Sequence, residues 1–232
     1  MLAGRAGRSQ PSQPEVEGAA TASPRADVLP AADYHGLDPA ESPAEVDAAR
    51  AREYALLAAL LTRTPDQELL DDLVGLRVDA STIGIAHAAL AEAARAAKLQ
   101  AVEREYFELF IGIGRGELMP YASYYLTGFL NERPLARLRG DLAVLGIARS
   151  DRNCEPEDHI GSLCEAMEGL LSGRFPAPPG SDEPFFKKHI EPWAGRFFAD
   201  LERAQAAAFY RSVGTLGRVF VEIETEAFAL AA

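Results

Sequence analysis

The segment Cys154-Glu155-Pro156-Glu157-Asp158-His159-Ile160-Gly161 brings three carboxylates, a proline and an imidazole into consecutive positions. Carboxylates grouped in this way suit a guanidinium or ammonium partner, and a neighbouring imidazole adds a group that can change charge near neutral pH. The same residues also suit a helix start. Pro156 fits the first helical position, and Glu157 and Asp158 in a first turn would complement the exposed backbone N–H groups. That leaves His159 without a role, so a binding site and a capping clasp both stand as readings. A nucleophile is harder to find. Cys154 and Cys164 flank His159 as the one Cys/His combination, no G-x-S-x-G elbow occurs, and both thiols read as reduced and incidental. No catalytic residue is assigned. The four histidines, His35, His87, His159 and His189, are scattered without a C-x2-C or H-x3-H ligand pair, so no metal is expected.

Three further constellations carry alternatives. The loop Gly112-Ile113-Gly114-Arg115-Gly116 could cradle an anion through its N–H groups, which makes Gly112, Gly114 and Gly116 candidates for weak binding of a guanine nucleotide. It follows a helical run rather than a strand and lacks a following Lys-Ser/Thr, and a helix C-cap with chain reversal explains it equally. Pro120-Tyr121-Ala122-Ser123-Tyr124-Tyr125 sets three amphipathic rings at a helix start, where Tyr121, Tyr124 and Tyr125 either line a groove or fill a core. Phe185, Phe186, His189, Trp193, Phe197 and Phe198 recur at helical spacing and read as core, with His189 a neighbour of Trp193.

The elements that must position these residues are helices. Ser42-Pro43-Ala44-Glu45 has the form of a capping box, and Thr64-Pro65-Asp66-Gln67 forms a second one. Helical stripes follow over Val46–Leu61, Leu69–Leu76, Ser81–Ala97, Val102–Phe110, Pro134–Leu145, Pro156–Leu171, Ser181–Gln205 and Ala206–Phe228. No alternating strand is legible. The expected fold is all-α, about nine helices in two sub-parts, 42–146 and 156–232. A polar connection at 146–155 would join them, with Pro156 at the hinge. Residues 1–41, rich in Ala and Pro and without periodicity, read as a disordered tail.

Charge narrows the partners. The formal net charge is −12, which excludes a nucleic-acid binder that needs a basic stripe against phosphates. No apolar run approaches the roughly 20 residues that span a bilayer, so stable membrane insertion is not expected. No secretory leader is legible, and the cytoplasm is the default address.

Taken together, these motifs resemble the TorD/DmsD family of redox-enzyme maturation chaperones. Glu155-Pro156-Glu157-Asp158-His159 is similar to that family's E-P-x-D-H signature at the junction of its two helical parts. Tyr106-Phe107-Glu108-Leu109-Phe110, the later Pro120-Tyr121-Ala122-Ser123-Tyr124-Tyr125 and Phe185 to Trp193 are similar to further family motifs in the same order. Ala122 departs from the glutamate common there. The resemblance implies a non-catalytic cytoplasmic chaperone. Its partner would be a molybdoenzyme catalytic-subunit precursor, bound through a twin-arginine signal peptide until the molybdenum cofactor, which belongs to the client, is inserted. Glu155, Glu157, Asp158 and His159 would meet the arginines, and Tyr121, Tyr124, Tyr125 and Trp193 would form part of an apolar groove. Gly114 to Leu118 and Thr127-Gly128-Phe129-Leu130 look like the branch serving formate dehydrogenases. The chain would act as a monomer or a domain-swapped homodimer. The alternative is a nucleotide-binding switch or small enzyme using the 112–117 loop and His159.

Overall fold

The computed structural model describes residues 42–76, 78–148 and 155–230. The tail 1–41, Cys154 and most of the expected hinge at 146–155 lie outside them. Ten α-helices follow in order: α1 (Pro43–Leu61), α2 (Gln67–Val74), α3 (Thr82–Ala96), α4 (Leu99–Tyr106), α5 (Ala122–Thr127), α6 (Arg133–Val144), α7 (Ile160–Leu171), α8 (Asp182–His189), α9 (Ala194–Arg203) and α10 (Phe209–Leu230). A π-helical turn, Phe107–Ile111, continues α4. Among the described residues there is no strand, only an isolated antiparallel bridge between Tyr121 and His159.

Local chemistry sets the helix ends. The Ser42 box forms as expected: the backbone N–H of Ser42 donates to Glu45 Oε2 at 2.7 Å, and Ser42 Oγ accepts from Glu45 N. At α2 the cap is Asp66 rather than Thr64, its Oδ1 accepting from Leu69 N at 2.9 Å. The helix expected over 181–205 is two helices. Pro192 cannot donate to the ladder, and Trp193 leaves helical geometry at φ −146° and ψ −27°.

Helices α1 and α10 form the middle of the molecule. Helix α1 buries Tyr54, Leu57, Leu60 and Leu61 almost completely and packs against α7 and α10. Burying side chains of this size contributes about 1.5–3 kcal/mol each. Helix α10 packs on α9, α3 and α4. Its Gly214 permits a close crossing, since a Cβ there would lie 2.8 Å from the Glu202 amide nitrogen on α9. Leu57 and Leu90 from before the 146–155 connection and Met167, Phe197 and Tyr210 from after it share one hydrophobic interior.

Carboxylates tie these helices together from within. Glu224 on α10 is 1% exposed and accepts from Arg50 Nε at 2.8 Å and from the Tyr54 hydroxyl at 2.9 Å, both on α1. Glu105 on α4 accepts from the backbone N–H groups of Ala208, Phe209 and Tyr210 at 2.8, 3.1 and 2.6 Å. It thereby satisfies the orphan donors at the start of α10 from another helix. Among the described residues no helix is long and apolar enough to cross a membrane.

Candidate functional site

The segment from Glu155 to Ile160 does not start a helix at Pro156. Helix α7 begins at Ile160, because His159 before it is held extended in a bridge to Tyr121. Ile160 N donates to Pro120 O at 2.9 Å and Ala122 N to Asp158 O at 3.0 Å, bracketing the Tyr121–His159 pair. The bridge fastens the start of α5 to the start of α7. Gly161 makes room for it: a Cβ there would lie 2.6 Å from Thr62 Cγ2 at the end of α1.

Asp158 is 1% exposed. Its Oδ2 accepts from the Ser123 backbone N–H at 2.8 Å and from Ser123 Oγ at 2.5 Å, so this carboxylate caps α5 across the clasp. Its other oxygen, Oδ1, is buried without a protein partner. His159 is the N-cap of α7, with Nδ1 accepting from Gly161 N at 3.1 Å and its ring 5.3 Å from that of Tyr121. The acceptor role places its proton on Nε2. Burial pushes the imidazole down to about 4, and the nearby Glu155 carboxylate only partly opposes this. His159 is therefore neutral through the range of pH 5 to 8, where an exposed imidazole would titrate.

The other two carboxylates face outward. Glu155 is exposed and accepts from the Tyr121 hydroxyl; burial and this carboxylate both raise the phenol above its ordinary range. Glu157 receives a forked contact from Arg139 on α6, with Nε at 3.0 Å and Nη2 at 2.8 Å from Oε2. Beside them, between α6 and α7, lies a cavity of about 190 Å³ lined by Glu155, Glu157, Ser162, Leu142, Leu163 and Phe175 among others.

The aromatic residues split in the same way. Tyr124 is half-buried under the Arg115 guanidinium, 5.7 Å from the ring centre. Tyr125 donates to Asp200 at 3.0 Å and lies over Trp193 with ring centres 5.4 Å apart. Trp193 is 1% exposed, with Nε1–H donating to His189 O at 2.7 Å, and His189 Nε2 lies 2.7 Å from Asp141 Oδ2. Of the eight expected site residues, Tyr121, Tyr124, Tyr125, Glu155 and Glu157 thus reach the surface. Asp158, His159 and Trp193 stand behind it and position them.

The glycine loop is a packed reversal. Gly112 at φ 62° admits the carbonyl of Arg115, which a Cβ would meet at 2.0 Å, and a Cβ on Gly116 would lie 2.5 Å from Leu109 O. The donors of Gly112, Glu117 and Leu118 are spent on Phe107, Glu108 and Leu109 carbonyls. Glu117 then accepts from Gln205 N at 2.7 Å and Ala206 N at 3.0 Å. Sequence reasoning did not single out Glu117 or Glu105, because each caps a segment some 90 to 100 positions away and no local spacing marks such a pair. Cys164 is 2% exposed, and burial pushes its thiol upward, which leaves it without thiolate character. Among the described residues no cluster of His, Cys, Asp or Glu is placed to hold a metal ion.

This helical architecture has solved and curated counterparts. The crystal structure of a proposed redox enzyme maturation protein from Archaeoglobus fulgidus aligns with a TM-score of 0.52 at 20% identity, covering 81% of this chain and 99% of that one. The chaperone protein TorD of Shewanella loihica is 25% identical over 202 residues, covering 77% of this chain and 92% of TorD. The chaperone protein YcdY of Escherichia coli is 29% identical over 117 residues, covering 50% of this chain and 59% of YcdY. The model of the nitrate reductase delta subunit family matches residues 78–199, which include the π-turn, the clasp, the aromatic helix α8 and the first part of α9. The chain belongs to this family, that of the TorD-type redox-enzyme maturation chaperones.

Proposed function

We propose that the protein is a non-catalytic cytoplasmic chaperone for a molybdoenzyme catalytic-subunit precursor. In this reading it binds the precursor's twin-arginine signal peptide and holds the client while the molybdenum cofactor is inserted before export. The observation that carries the reading is the outward pair Glu155 and Glu157 on an apolar-walled cavity, with the half-buried Tyr121 donating to Glu155. A twin-arginine peptide offers two guanidinium forks followed by an apolar run, and its receptor needs carboxylates next to apolar surface. Arg139 illustrates the geometry from inside the chain, since it already forks Glu157. That pair is half exposed on the arginine side, and such contacts contribute about 0–1 kcal/mol. A client arginine held in a partly desolvated groove contributes about 1.5–3 kcal/mol, enough to displace it. The segments Gly114 to Leu118 and Thr127 to Leu130 favour a formate dehydrogenase as client.

Purified full-length chain titrated with a synthetic twin-arginine signal peptide tests the reading. The expected result is saturable binding that a scrambled peptide of the same composition, with its arginines separated, does not show. Equal binding of the two peptides would overturn it.

A further inference from the structure

Glu155 and Glu157 line the same cavity as a third polar group. Ser162, in the first turn of α7, has its Oγ buried with no hydrogen-bond partner, and it shares the cavity with Leu142, Leu163 and Phe175. At about 190 Å³ the space exceeds the roughly 150 Å³ that admits a benzene-sized guest, so it takes one large side chain. A purely apolar guest would leave an unpaired hydroxyl and desolvated carboxylates against it, which is unfavourable. A side chain with an apolar stem and a cationic head answers the apolar wall, the Ser162 hydroxyl and the carboxylates of Glu155 and Glu157, in a lining that Glu165 and Arg174 complete. Arginine fits better than lysine here, because its planar head can fork a carboxylate and still donate to a hydroxyl, whereas an ammonium is a compact point charge. Arg174 does not fill this role, since its guanidinium is committed to Glu168 and to the Glu165 carbonyl and lies 4.7 Å from the Phe175 ring centre, forming wall rather than guest.

We propose that the α6–α7 cavity is a single-arginine subsite: the stem of one client arginine lies against Leu142, Leu163 and Phe175, and its guanidinium is shared by Glu157, Glu155 and Ser162. This rests on the peptide-binding reading above and sharpens it, for it makes the two arginines of a client unequal. One occupies the cavity and the other meets only the exposed surface.

The test uses the full-length chain and four synthetic peptides: the twin-arginine peptide, its scrambled control, and two versions with one arginine changed to lysine. The wild-type chain should lose about ten- to hundredfold in affinity for one lysine peptide and less than about threefold for the other. Filling the cavity by Ala166→Phe, or from its exposed rim by Ala148→Trp, should lower affinity for the twin-arginine peptide by the same factor and abolish the difference between the lysine peptides. Circular dichroism and melting curves verify folding, and Ala148→Trp carries the test if the buried Ala166→Phe variant does not fold. Folded, cavity-filled protein that binds like the wild type would overturn the subsite while leaving the chaperone reading intact. A wild-type chain that does not distinguish the twin-arginine peptide from its scrambled control would overturn both.

Discussion

Replacing Asp158 with alanine separates a contact residue from a clasp. In the structure its carboxylate is 1% exposed and holds two donors of Ser123, itself fully buried, at 2.8 and 2.5 Å. Hydrogen bonds to a charged acceptor contribute about 1.5–3 kcal/mol each, and removing the acceptor strands both donors out of water. Part of that loss is offset, because the variant no longer buries a charge whose second oxygen, Oδ1, has no protein partner. The net cost is about 2–4 kcal/mol, which lowers the melting temperature by roughly 5–15 °C for a chain of this size. Asp158→Asn retains an acceptor for Ser123 and should lose about half as much. Thermal circular dichroism at pH 7 alongside peptide titration reads the outcome. A melting temperature within about 2 °C of wild type, together with a tenfold loss of peptide affinity, would refute the clasp and return Asp158 to the binding surface.

Four other outcomes follow from the same geometry. His159, held neutral with its titration at about 4 against an ordinary 6.5, binds its proton more weakly folded than unfolded, so stability falls as pH drops from about 6.5 to 4, by about 3 kcal/mol in all; His159→Asn, which keeps an N-cap acceptor, should flatten that slope in acid melts. Glu105→Ala removes the acceptor for three N–H groups at the start of α10 and should cost about 2–4 kcal/mol by chemical denaturation. Gly214→Ala gains about 1 kcal/mol of helix propensity but sets a Cβ 2.8 Å from the Glu202 backbone, so a net destabilisation of about 1–3 kcal/mol is expected in the same assay. Arg139→Ala frees Glu157 from its internal fork and should tighten twin-arginine peptide binding by up to about fivefold, whereas a purely structural Arg139 would leave affinity unchanged or lower it.

The helices were legible because their signals are local. Ser42 with Glu45, the stripe of α10 and the breaks at glycines and prolines each act within a few residues. Two helix starts were misplaced, one by a distant partner and one by a nearby competitor. Pro156-Glu157-Asp158 has every mark of a first helical turn, yet the bridge to Tyr121 keeps His159 extended and delays α7 to Ile160. Thr64 looked like the cap of α2, but Asp66, two residues later, has the side-chain reach to Leu69 N. In the candidate site the carboxylates could be recognised by type, but not their division of labour. Which of Glu155, Glu157 and Asp158 turns inward depends on Ser123, 35 residues earlier, and no spacing encodes that contact. Trp193 is the aromatic equivalent: its spacing reads as core while the family resemblance implies a groove, and its indole N–H on the His189 carbonyl places it in the core.

The central claim is that Glu155 and Glu157 together receive client guanidinium groups. Calorimetric titration of the Glu155→Gln/Glu157→Gln double variant with a twin-arginine peptide and its twin-lysine counterpart tests it most directly. The wild-type chain should prefer the arginine peptide by at least about tenfold, and the folded double variant should bind both weakly and alike. A double variant that keeps the wild-type preference would contradict the account.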